Sequence, residues 1–132
     1  MCIRDSCSAT PSDMDIGADT IESWHKTRGF REIGYHNVIG RGGIIEEGRD
    51  IDLNGAHTKG HNKNTIGVCL VGGVDKNNKP ENNFTKAQFS SLCRLLRHYM
   101  VQYPNATIHG HREYANKACP SFDIHTFIKE NL

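Results

Sequence analysis

The run IGVCLVGG at residues 66–73 limits the possible folds more than any other stretch of the chain. It shows no apolar–polar alternation, so it reads as a strand covered on both faces rather than one with a wet side. Such a strand needs helices above and below its sheet, and the chain supplies candidates. Ile21, Trp24 and His25 recur at i, i+3, i+4 and predict a helix from Ala18 to Arg28, with Gly29 as its C′ stop. Thr85 and Gln88 form a capping box that opens a helix over 85–103. Along it Phe89, Leu92, Leu96, Tyr99 and Tyr103 follow helical spacing up to Pro104. The C-terminal DIHTFIKENL predicts a third helix, capped by Ser121 or Asp123. GYHNVIGR (34–41) and IIEEGR (44–49) read as a hairpin about Gly42-Gly43, and ATIHG (106–110) as a short strand. The alternation predicts an α/β fold, a mixed central β-sheet covered by helices in a single domain.

A chain of 132 residues can bury a core without disulfides. The net charge of +1 gives no field to draw it to nucleic acid, and no run approaches the roughly 18 apolar residues of a membrane span. Neither nucleic acid nor membrane insertion is therefore expected, and a monomer is. Five cysteines without a CxxC pair predict reduced thiols, with Cys69 and Cys93 as small buried hydrophobes. The opening MCIRDSCSATPSDMD has no apolar signal-peptide core, which predicts synthesis in the cytoplasm. Trp24 and Phe30 are assigned to the core, and His25, His61, His98 and His125 to structural or surface roles.

Chemistry concentrates in HGHREYANKACPSFD (109–123). His111 follows a short strand and Cys119 precedes a helix, so both can converge above a strand end, where open α/β sheets bind ligands. An imidazole and a thiolate are zinc-ligand types, and a catalytic zinc needs a third protein ligand. Lys117 can set a cation beside developing negative charge in the same pocket.

These residues also carry a resemblance. CSATPSDMDIG (7–17), IESWHKTRGFREIGYHNVIGRGG (21–43), GAHTKGHNKNTIGVCLVGG (55–73), NFTKAQFSSL (83–92) and GHREYANKACPSFD (110–123) fall in the order of the zinc-dependent N-acetylmuramoyl-L-alanine amidases of the type-2 family. The chain resembles in particular the small phage amidases called phage lysozymes, and the peptidoglycan recognition proteins are similar in fold. The resemblance implies a hydrolase that cleaves the amide between N-acetylmuramic acid and L-alanine. Its substrate is peptidoglycan, and it acts on the bacterial cell wall after release. Zinc is the implied cofactor, with His111 and Cys119 matching two of its three ligands. Tyr35 matches the tyrosine that positions the reacting groups, and Lys117 the lysine at the scissile carbonyl. The loop holding His57 and Asn64 would line the groove for the peptide stem.

The departure is at the first ligand, a histidine before CSAT in the family and Ser6 here. A hydroxyl is a poor zinc ligand, and two protein ligands bind more weakly and leave the geometry under-determined. Strand alternation turns Asp5 and Cys7 away from the side of Ser6 and leaves His109, of the same parity as His111, as the local stand-in. Arg4, Asp5 and Ser6 also stand where the family has a buried apolar strand. Residues 1–6 are accordingly expected to be foreign or truncated sequence, with the amidase domain over 7–132. The alternative reading is a catalytically inactive module of the same fold that binds muropeptide. A structural zinc protein is poorly supported by two candidate ligands.

Overall fold

The structure is a computed structural model that describes residues 2–29, 33–50, 65–77, 79–110 and 124–131. Its elements in chain order are β1 (Cys2–Cys7), α1 (Ala18–Thr27), β2 (Asn37–Ile39), β3 (Ile45–Glu47), β4 (Thr65–Leu70), α2 (Lys86–Gln102), β5 (Thr107–Gly110) and α3 (Ile124–Asn131). The five strands form one sheet in the order β3-β2-β4-β1-β5. β2 and β3 pair antiparallel, whereas β2–β4, β4–β1 and β1–β5 are parallel. The expected mixed sheet is thus present, with the apolar 66–70 segment at its centre.

Two clusters separate the faces of the sheet. On one, Ile3, Ile66, Val68, Leu70 and Ile108 pack against Leu92, Leu96 and Tyr99 of α2 and Ile124 of α3. On the other, Val38, Cys69 and Val71 pack against Ala18 and Ile21 of α1, together with Ile33 and Tyr35. Both faces of β4 are dry, as an unalternating apolar run requires.

Local chemistry sets the element ends. The Thr85 hydroxyl accepts the Gln88 N–H at 3.1 Å, and the Gln88 side chain accepts the Thr85 N–H at 2.9 Å, completing the capping box. α1 has no side-chain cap of its own; Glu46 of β3 lends a carboxylate to the Ala18 N–H at 3.1 Å. Gly29, at φ +95°, takes the left-handed conformation past the end of α1. β4 stops at Leu70 because Gly72 and Gly73 turn to φ +136° and +103°, so the strand is shorter than the 66–73 run. β2 and β3 are likewise shorter than 34–41 and 44–49. Trp24 corrects the expectation of a core residue: it is 39% exposed, on the solvent side of α1. Cys93 is half-buried rather than buried. His25 is buried, and His98 and His125 are exposed. Phe30, His61, Ser121 and Asp123 lie outside the described residues.

β1 lies between β4 and β5 although it carries Arg4, Asp5 and Ser6. Asp5 and Ser6 are fully buried, and neither the Asp5 carboxyl oxygens nor the Ser6 hydroxyl has a hydrogen-bond partner among the described residues. Asp5 pairs with Val68, on the α2–α3 side, in apolar surroundings. Burial pushes its pKa well above the ordinary 3.8. From 3.8 up to the raised folded value the unfolded chain gives up a proton that the folded chain keeps, so stability falls as pH rises through that interval. Asp5→Val is therefore expected to raise unfolding free energy by roughly 1–3 kcal/mol at neutral pH. The gain should shrink as pH approaches 4 in denaturant titrations at several pH values. An equal gain at all pH values would refute this account.

Candidate functional site

The carboxyl ends of β1, β4 and β2 point the same way, and the backbone beyond them is tied together. After β1, the Ser8 N–H donates to Leu70 O at 3.0 Å and the Thr10 N–H to Gly72 O at 3.0 Å. The Ser8 hydroxyl accepts the Gly72 N–H at 2.9 Å and contacts the Thr10 hydroxyl at 2.7 Å. Between them Ala9 is held at φ +55°, the left-handed region that a non-glycine residue enters at a cost. Across the sheet, Gln88 donates to Ile39 O at 3.2 Å and Val71 O at 2.8 Å, joining the ends of β2 and β4 to the start of α2. Arg41 adds bonds to Val71 O at 3.2 Å and Asn83 O at 2.8 Å.

Ser6 is the last but one residue of β1 and pairs with Cys69. Cys69 packs in the same cluster as Tyr35, so Ser6 and Tyr35 share the α1 face of the sheet. Asp5 and Cys7 fall on the opposite face by strand alternation, as expected from the sequence. On β5, Gly110 pairs with Asp5, and His111 is the next residue in the chain. His111, Lys117, Cys119, His57 and Asn64 all lie outside the described residues. Of the sequence-derived site, Ser6 and Tyr35 are described; they lie on the same face of the sheet, Tyr35 ahead of β2 and Ser6 near the carboxyl end of β1, with β4 between the two strands. His109, the local stand-in, is half-buried with its ring edge-on to His125 of α3 at 5.9 Å.

Tyr35 is 9% exposed and sits just before β2, between bends at Gly34 and His36. The Arg49 N–H donates to Tyr35 O at 2.8 Å and Arg49 Nε to Ile33 O at 2.9 Å. His25 lies with its ring 5.6 Å from that of Tyr35, and its Nδ1 accepts the Gly34 N–H at 2.8 Å. Burial first, then Arg28 and Arg49, lower the pKa of His25 from 6.5. Sequence reading gave His25 a structural role without its link to Tyr35, and nothing in the local pattern indicates that contact. Gln88 carried a signal, its capping box, but its reach to two strand ends was invisible. Burial also raises the Cys69 thiol pKa well above 9.0, which keeps it protonated and unreactive.

Among the described residues no group of three His, Cys, Asp or Glu side chains is placed to hold an ion; His111 and Cys119 are not among those residues. At the position of the implied first ligand stands Ser6, whose hydroxyl has no hydrogen-bond partner among the described residues, a neutral oxygen in place of an imidazole. That donor does not fit the zinc set that the resemblance implies.

Comparison with known proteins bears on this geometry. A family model described as N-acetylmuramoyl-L-alanine amidase matches residues 6–122. The endolysin of Enterobacteria phage K11 is 48% identical over 123 residues, covering 93% of this chain and 82% of that protein. The endolysin of Escherichia phage T7 is 46% identical over 125 residues, covering 95% and 83%. Among solved structures, the N-acetylmuramoyl-L-alanine amidase LysC from Clostridium intestinale URNW superposes with a TM-score of 0.83 at 26% identity, covering 98% of this chain and 83% of that one.

The turn beside Ser6 depends on one close approach. A Cβ on Gly73 would lie 2.5 Å from Cys7 Sγ at a φ of +103°. Gly73→Ala is expected to cost roughly 2–4 kcal/mol from backbone strain and overpacking together. Denaturant unfolding measures it; a loss below about 1 kcal/mol would show that the strand end yields easily.

Proposed function

The chain belongs to the N-acetylmuramoyl-L-alanine amidase family, and from that membership we propose how its residues serve the reaction. The activity is hydrolysis of the amide between N-acetylmuramic acid and L-alanine in bacterial peptidoglycan. The single observation that carries this reading is the match to the family over residues 6–122, on a sheet with the matching fold.

In the proposed arrangement, Tyr35 hydrogen-bonds the reacting groups at the scissile carbonyl. Lys117 sets its ammonium beside the carbonyl oxygen as negative charge grows there, the kind of electrostatic term that is often the largest in catalysis. Water delivers the hydroxyl to the carbonyl carbon, the carbon–nitrogen bond breaks, and the departing amine of L-alanine takes up a proton. His57 and Asn64 contact the peptide stem. His111 and Cys119 are the proposed zinc ligands, and Ser6 leaves that set one strong donor short. The enzyme works as a monomer on the cell wall after release; no helix among the described residues is long and apolar enough to cross a membrane.

The Ser6 hydroxyl favours a second reading, in which the groove holds muropeptide and hydrolysis is lost. The two separate in one experiment. Turbidity of purified cell walls and bound zinc are followed for the chain and for Ser6→His, with circular dichroism to verify the fold. Zinc-dependent lysis by the unmodified chain is the outcome expected of a working amidase. Lysis and stoichiometric zinc only in Ser6→His identify a site disabled at one ligand. Wall binding without lysis in either form supports the binding module and overturns the catalytic roles given to Tyr35 and Lys117.

A further inference from the structure

The outer face of α2 is a ridge of cations with nothing acidic along it. Lys86, Ser90, Arg94, Arg97 and Val101 follow one another at intervals of four, four, three and four residues, which stacks them on one side of the helix, and all five are exposed. The opposite side carries Gln88, Leu92, Leu96 and Tyr99, all buried. No Asp or Glu occurs anywhere from Lys86 to Gly110. At the far end of the ridge Val101 is 81% exposed, and its neighbour Met100 is 41% exposed. Arg97 Nη2 donates to Asn131 O at 2.9 Å, which brings the end of α3 beside the ridge; the exposed Lys129 and Glu130 there offset each other.

The net charge of +1 conceals a separation between the two sides of the molecule. Over residues 13–28, around α1, Asp13, Asp15, Asp19 and Glu22 stand against Lys26 and Arg28, and Lys26 is paired with Glu22 at 3.3 Å. α1 packs on the sheet face that holds Tyr35, and α2 packs on the other. A negatively charged plane therefore draws α2 towards itself and leaves the Tyr35 side outward. The buried side of α2 is taken up by the sheet, so the helix cannot sink into hydrocarbon; Met100 and Val101 are the side chains it can offer to an interface. Cations beside exposed aliphatic tips fit a lipid headgroup layer better than a soluble polyanion, which has no apolar layer to receive Val101.

We propose that the α2 ridge is a docking surface for anionic phospholipid, which holds the chain on the surface of a bilayer with its Tyr35 face turned outward to the wall. The use given to that orientation rests on the reading of Tyr35 as a reaction residue; the docking does not. Each basic side chain near an anionic bilayer contributes about fivefold in partition, so Lys86, Arg94 and Arg97 together contribute on the order of a hundredfold. The attraction is electrostatic and falls with salt, since the screening length shrinks from about 10 Å at about 0.1 M to about 3 Å at about 1 M.

The test sediments the full chain with vesicles of phosphatidylcholine alone or mixed with an equal part of phosphatidylglycerol. At about 0.1 M salt the mixed vesicles should bind at least about tenfold more tightly, and the difference should vanish near about 1 M. The combined variant Lys86→Gln, Arg94→Gln, Arg97→Gln should lose the preference with its circular dichroism intact, whereas Lys26→Gln, on α1, should keep it. Trp24, the single tryptophan of the chain, lies on the solvent side of α1 and reports orientation. Its emission should not shift on binding and should stay open to aqueous acrylamide, while a chain with Trp24→Phe and Val101→Trp should shift to the blue. Equal binding to both vesicles, or full preference in the combined variant, overturns the docking surface. So does a Trp24 signal that the bilayer shields. Capture by heparin as tight as by mixed vesicles, with no blue shift in the Val101→Trp chain, would make the partner a soluble polyanion and overturn the bilayer. Lysis of isolated walls, which carry no bilayer, reads the amidase reaction separately: docking without lysis leaves the ridge standing, and lysis without docking leaves the reaction standing.

Discussion

The parallel pairing of Cys2–Cys7 with Thr65–Leu70 fixes which side chains meet on each face of the sheet. Side chains alternate along β1, so a slip of one residue would send Ser6 to the α2–α3 side and Asp5 to the side of Tyr35. The hydrophobic clusters oppose that slip. Ile3 and Ile66 are partners on one face, and Cys69 belongs to the other. The apolar residues of β4 thus do more than fill a core. They determine the face from which Ser6, the last but one residue of β1, looks out.

Beyond the strand ends, burial gives way to hydrogen bonds as the source of order. The Ser8–Thr10–Gly72 set closes the exit of β1, and Gln88 with Arg41 closes those of β2 and β4. Each satisfies backbone groups that a terminating strand would leave orphaned, and a buried orphan costs roughly 1–3 kcal/mol. Ala9 keeps its left-handed backbone because the residues on both sides are bonded across to the same glycine. Tyr35 is held by the same kind of device, polar groups gripping a short non-ladder segment.

What could be read from the sequence follows from how local each determinant is. The unalternating 66–70 segment, the Thr85–Gln88 box and the Gly29 stop are written within a few residues, and the structure contains all three. Trp24 was misplaced because its spacing with Ile21 puts it near the apolar stripe, while the actual packing uses Ala18, Ile21 and His25 and leaves Trp24 39% exposed. The cap of α1 came from Glu46, 28 residues away, and the support of Tyr35 from His25 and Arg49. No periodicity reports such pairs. β1 itself goes against propensity: Arg4, Asp5 and Ser6 argue against a central strand, and the register with β4 and β5 outweighs them. Ser6 was legible as a departure only because the resemblance supplied the residue expected there.

Asp5 and Ser6 are adjacent, equally buried and equally without described partners, yet they bear on different properties. Asp5 lies among apolar side chains of the α2–α3 face, so its cost falls on stability and varies with pH. Ser6 lies on the face that carries Tyr35; its hydroxyl is neutral over the whole working range, and its burial costs far less than that of a carboxylate. The packing that holds Tyr35 runs through Ile33, Val38, Cys69 and His25, none of which needs an ion in order to fold. A weakened metal site would therefore leave the sheet, the strand-end ties and the placement of the tyrosine intact. Because scaffold and ligand set are separable in this way, loss of hydrolysis with retention of peptidoglycan binding is a physically coherent state for this chain rather than a misfolded one.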